Sequence, residues 1–132
     1  MRLLKAVHYL PLALALLVPA LHAEPPRDFA GAKAAADAEE ASQAGPAKAA
    51  MLEKQKTFLD AGVAACATDQ AKADLADFVV VMRLDETGQV AQTWRRGDSP
   101  LALCVERYAR GKLLFVPPRS PFYSSLEISF VP

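Results

Sequence analysis

Cysteine is the residue type in this chain best suited to chemistry, and there are two, Cys66 and Cys104. A thiolate can attack an electrophile or hold a soft metal, and two thiols can instead close a disulfide. Neither cysteine has a neighbour in a Cys-x-x-Cys pair, and both histidines, His8 and His22, fall at the very start of the sequence. Beyond residue 23 there is thus no histidine to serve as a catalytic base, a metal ligand or a switch near neutral pH. The other groups able to move a proton are Asp74, Asp77, Asp85, Glu86, Glu106, Lys112, Tyr108 and Tyr123. Asp74 and Asp77 precede an apolar run and Asp85-Glu86 opens a turn, which is the setting of solvated loop acids. No Gly-rich phosphate loop and no G-x-S-x-G is present. The pattern predicts no catalytic residue, no metal site and no cofactor.

Charge points to binding instead. Arg95, Arg96, Arg107, Arg110, Lys112 and Arg119 gather in one stretch with only Asp98 and Glu106 among them. Such a cluster could face an anionic envelope polymer, lipid head groups or an acidic partner, with a solvated helix face and loop as the plain alternative. Nucleic acid fits poorly, because from Glu24 onward 13 basic residues stand against 15 acidic ones and the chain carries an export signal.

That signal is Arg2 and Lys5, then an apolar run from Tyr9 to Leu21, then Leu21-His22-Ala23. It reads as a secretory signal peptide over residues 1–23, with a cut after Ala20 as the alternative. A spanning helix needs roughly 20 apolar residues, and this run is shorter and broken by Pro11 and Pro19. Membrane attachment is expected only if the signal stays uncleaved. The expected location is periplasmic or secreted, where thiols oxidise. A disulfide between Cys66 and Cys104 is then the economical reading, with a reactive or metal-bound thiol as its rival. Closing that loop is worth on the order of 3 to 4 kcal/mol in the chain-entropy model.

These residues need elements to place them. Residues 24–45 are Ala-rich, punctuated by Pro25-Pro26, Gly31 and Gly45-Pro46, and have Phe29 as their one large apolar side chain. They read as a linker of transient helix ahead of a domain over residues 46–132. Pro46 suits a first helical turn, and Met51, Leu52, Phe58, Leu59, Val63 and Cys66 form a stripe at helical spacing that ends near Ala67. Phe78 to Leu84 is a strand, Asp85-Glu86-Thr87-Gly88 a turn, and Gln89 to Arg95 a second strand. Strict alternation puts Val90 and Trp94 on one face of that second strand and Gln89, Ala91, Thr93 and Arg95 on the other. Ser99 is an N-cap, Pro100 a first-turn residue, and Leu101, Cys104, Val105 and Tyr108 a helical stripe closed by Gly111. Leu126, Ile128 and Phe130 alternate with Ser125, Glu127 and Ser129 in a final strand. The expected fold is α+β: a small three-stranded antiparallel sheet in the order 2-1-3, with helices on one face and the most apolar strand at its centre.

The arrangement resembles the C-terminal domain of the TonB energy transducer and its relatives. The likeness rests on an apolar strand with a D-x-x-G-x-V turn, here Val79 to Val90, on Cys104-Val105-Glu106-Arg107-Tyr108 in the helix, and on Phe115-Val116-Pro117-Pro118 before the closing strand. A subgroup with one cysteine before the first strand and one in the helix matches the positions of Cys66 and Cys104. The resemblance spans roughly Cys66 to Val131 and implies a module that engages a protein segment by strand addition.

Two functions from different classes follow. One is an exported, non-catalytic binding module that takes an envelope protein on its C-terminal edge strand, with Ser125, Glu127 and Ser129 choosing among side chains. The other is an accessory or structural envelope protein whose basic cluster holds an anionic polymer or lipid.

Overall fold

The β-branched run Phe78–Leu84 forms strand β1, and six of its seven residues are buried. Strands β2 (Val90–Arg96) and β3 (Phe122–Ile128) flank it, both antiparallel, in the order β2-β1-β3. This is the expected α+β sheet. The computed structural model describes residues 24–132, so the signal assigned to residues 1–23 lies outside the described residues. The β1–β2 turn is set by Asp85, whose carboxylate accepts from the Thr87 and Gln89 amides and from the Thr87 hydroxyl. Those donors hold its carboxyl below the usual carboxylate range, the Thr87 hydroxyl first among them. Gly88 closes the turn at φ 88°, where a Cβ would stand 2.1 Å from the Phe115 carbonyl oxygen.

The second strand departs from strict alternation. Its register slips between Arg83 and Leu84, so that Arg83 pairs with Gln92 while Leu84 pairs with Val90. This bulge at Ala91 turns Val90 to the face of Phe78, Val80, Met82 and Leu84, and leaves Trp94 on the face of Val79 and Val81. Val90 and Trp94 therefore lie on opposite faces, and Thr93 and Arg95 turn toward the side that carries the main core.

That core is closed by helices α2 (Gly45–Cys66) and α4 (Pro100–Ala109), with the short α3 (Asp69–Lys72) beside them. Ser99 caps α4 by accepting from the Ala102 amide, and Leu101, Ala102, Val105 and Ala109 form its buried stripe. On α2 the stripe is shifted: Leu52 is half exposed while Gln55 is buried. Cys66 and Cys104 are disulfide-bonded, with a Cα–Cα distance of 5.8 Å, tying the end of α2 to the middle of α4.

Two expectations are overturned on the opposite face. Residues 24–45 are not a linker, and helices do not cover one face alone. Asp28 caps a thirteen-residue helix, α1 (Phe29–Ala41), which lies across β3 and β1 with Ala32 and Ala36 fully buried against Val79, Val81 and Tyr123. Alanine has little apolar surface of its own, but its small side chain lets a helix backbone sit close to a sheet. The apolar area that docks the helix is then supplied by the strands.

Candidate binding site

An edge strand is a binding surface only if its outward amides and carbonyls are free. On β3 they are not. The Ser125 amide donates to Glu40 Oε1 at 2.8 Å. The same carboxylate oxygen accepts from Gln55 Nε2 at 3.0 Å, and Gln55 also donates to Ser124 Oγ at 2.7 Å. Glu40 lies in the last turn of α1 and Gln55 within α2, so the helical hairpin wraps this edge and sets a carboxylate on it. Ser125, expected to read a partner's side chains, is buried, and Glu127 pairs with Lys33 at 2.6 Å. Glu127, though paired, and Ser129, beyond the end of β3, are exposed as expected. The expected docking edge is closed in its middle.

Nor do the six basic residues form one cluster. Arg95 Nη1 lies 2.7 Å from Asp98, and its Nε lies 2.8 Å from Glu106 Oε2 without the alignment of a hydrogen bond. Arg110 pairs at 2.5 Å with the other oxygen of Glu106. Arg119 bonds Glu39 at the far end of α1. Arg96 lies on the opposite sheet face, over the Phe29 ring, while Lys112 stands over Tyr108 and Arg107 borders the disulfide. Sequence proximity between residues 95 and 119 is thus spread over both faces of the sheet by the strand, the helix and the loop that carry it.

The free edge is β2. Because the Ser125 amide points away from the sheet, Val81 faces β2 with its own amide, and Trp94 returns that bond. Thr93 and Arg95 must then aim their amides outward, and neither amide has a hydrogen-bond partner among the described residues. At the start of β2 the chain itself fills the edge: the Val90 amide donates to the Lys112 carbonyl, and the Gly111 amide donates to the Val90 carbonyl. Beyond Ala91 nothing among the described residues continues that pairing. The charge that would guard such an edge is Arg95, but it is turned under α4 onto Glu106 and Asp98.

A second feature lies at the bulge end of the sheet's other face. Gln92, Arg83 and Tyr123 are cross-strand partners in one row, β2 to β1 to β3. A cleft of about 530 Å³ opens above them, walled by Pro25, Pro26 and Pro121 and by Gly31 and Ala35 of α1. Burial pushes the Tyr123 phenol up, against an opposing pull from Arg83, so it is a neutral donor at physiological pH. Arg83 has no ion pair or side-chain hydrogen bond among the described residues. The sequence did carry a signal for it, one arginine inside an apolar central strand, but its role depends on an α1 whose docking is not visible in the residue pattern.

No protein-family model, no curated protein and no solved structure matches the chain. Among the described residues there is no grouping of three or more metal-ligating side chains, and no helix long and apolar enough to cross a membrane.

Proposed function

We propose that this domain is an exported, non-catalytic binding module of the cell envelope that takes an extended protein segment as a fourth strand on the β2 edge. The observation that carries the reading is the contrast between the two edges: α1 lies along β3 and its Glu40 takes the central Ser125 amide, while no helix lies along the outer side of the Thr93 and Arg95 amides on β2 and both are left unpaired among the described residues. Main-chain bonds would supply the attraction. Lys112 and Gly111 already pair with Val90 in this way, so an incoming strand would extend an existing line of bonds. Its side chains would alternate between the α4 side, where Glu106 and Arg110 meet Thr93, and the α1 side, where Gln92, Trp94 and Arg96 stand. The TonB-like pattern of strand, turn, helix and closing strand supports the same mode of engagement. The anionic-polymer reading has no geometric support, since its six cations do not converge.

Thr93→Pro tests this directly. Its amide points away from β1, so proline there removes an outward donor without breaking a ladder bond. Thr93→Val keeps the amide and removes only the hydroxyl. The expected result is that Thr93→Pro folds by circular dichroism but loses capture of an envelope protein that wild type and Thr93→Val both retain at high salt. On engagement, the Thr93 and Arg95 amides should become protected from hydrogen exchange. Equal capture by the proline variant, or binding that vanishes as salt is raised, would reject strand addition at this edge.

A further inference from the structure

We propose that the cleft above Arg83 is a binding site for a single carboxylate carried on a compact apolar body. This does not rest on strand addition at β2 and would hold if that reading failed.

The site is built from a row of donors. Arg83 offers a planar fork of N–H groups, Gln92 an amide, and Tyr123 a phenolic hydroxyl, and register places all three side by side on one sheet face. Opposite them the wall is apolar and stiff: three prolines and, on α1, Gly31 and Ala35 one turn apart. A few convergent polar groups in a mostly apolar cavity of this size is the usual make-up of a small-molecule site.

Charge selects the ligand. Four other guanidiniums of the domain are already engaged, Arg95, Arg110 and Arg119 with carboxylates and Arg96 on an aromatic ring, and Arg107 stands exposed on α4 away from the cleft. Arg83 sits half-buried in the central strand, where a charge has a desolvation cost and no protein carboxylate offsets it. The one acid in the lining, Glu24, stands at the rim, 82% exposed and 3.6 Å from Arg27. One cation in a planar fork balances one planar carboxylate, bidentate, with the Tyr123 hydroxyl and Gln92 amide available to the same oxygens. A dianionic phosphate would meet only that one cation. Such a carboxylate could belong to a free organic acid or to the C-terminus of a peptide.

Trp94 is the only tryptophan of the chain and its ring centroid is 6.0 Å from that of Tyr123, so its fluorescence reports on the cleft. The probes are 3-phenylpropionate, its neutral isostere 3-phenylpropanamide, and acetylated dialanyl-phenylalanine with a free or an amidated C-terminus. We expect saturable binding of the acids and about tenfold or more weaker binding of each amide. Arg83→Gln should lose about the same factor while its circular dichroism is unchanged, and Arg83→Lys should recover only part of it. If the free-acid peptide binds more tightly than 3-phenylpropionate the ligand is a peptide terminus; the reverse order makes it a free organic acid. Acids and amides binding alike to wild type, or no saturable response to any acid, would overturn the proposal whether or not the Arg83 variants fold.

Discussion

Deleting residues 24–44 is expected to lower the stability of the domain by about 4 to 6 kcal/mol, much of what a domain of this size holds. The deletion uncovers Val79, Val81 and Tyr123, which are buried under α1, and burial of such side chains is worth roughly 1.5 to 3 kcal/mol each. It also removes the acceptor of the Ser125 amide and leaves Gln55 and Ser124 with one partner fewer, at about 1 to 3 kcal/mol. Part of this is offset because thirteen helical residues no longer have to be ordered. Urea unfolding followed by far-UV circular dichroism, with the truncated chain beginning at Gly45, measures the difference. An unchanged midpoint would mean that α1 is a passenger on the sheet. Glu40→Ala separates the two contributions, since it keeps the alanine stripe of α1 and removes only the cap on the β3 edge. It should cost about 1 to 3 kcal/mol and promote concentration-dependent association through the edge it opens.

How the same residues yield both legible and hidden features is clearest at β2. The strand itself, its turn and the 2-1-3 order follow from β-branched composition, from Gly88 and from the helix that returns the chain, all of which are local or nearly so. The helix α4 is equally plain, because Ser99, Pro100 and the stripe through Val105 each point to the same element. The bulge at Ala91 is not plain. Nothing in Val90-Ala91-Gln92 demands an extra residue there, and a single-residue slip reverses every side chain before it. Docking of α1 was hidden for a different reason. Hydrophobic periodicity detects a helix by the apolar surface that it brings, whereas Ala32 and Ala36 bring almost none and are buried because they are small. With α1 out of sight, the β3 edge reads as open and nothing in the residue pattern marks a cleft above Arg83. The six cations between residues 95 and 119 are the opposite case: they are adjacent along the chain but not in space, because a strand followed by a helix does not preserve that adjacency.

The second large effect belongs to the disulfide. Cys104→Ala, made together with Cys66→Ala so that no free thiol remains, is expected to lower stability by about 2 to 5 kcal/mol. The bond spans a sequence separation of 38 residues, a loop that contains all of β1 and β2, so its removal returns a large share of chain entropy to the unfolded state. Cys66 is also 2% exposed, and truncation there deletes packed atoms. Among the contacts that remain between α2 and α4 are an aromatic pair, Phe58 against Tyr108 with centroids 5.7 Å apart, and the seat that Gly62 provides for the Tyr108 ring at 3.1 Å from where a Cβ would stand. These contacts hold α2 as far as Gly62; its last turn keeps only the partly buried Val63 against the core, has no basic residue in it and ends at Ala67 in a non-helical conformation. The loss should therefore be uneven. Hydrogen exchange of the reduced-type variant should rise first in the last turn of α2 and in α3, while β1 and the α1 face keep their protection until global unfolding. A destabilisation below about 1 kcal/mol, or exchange that rises equally in α1, would show that the disulfide fastens no part of this core in particular.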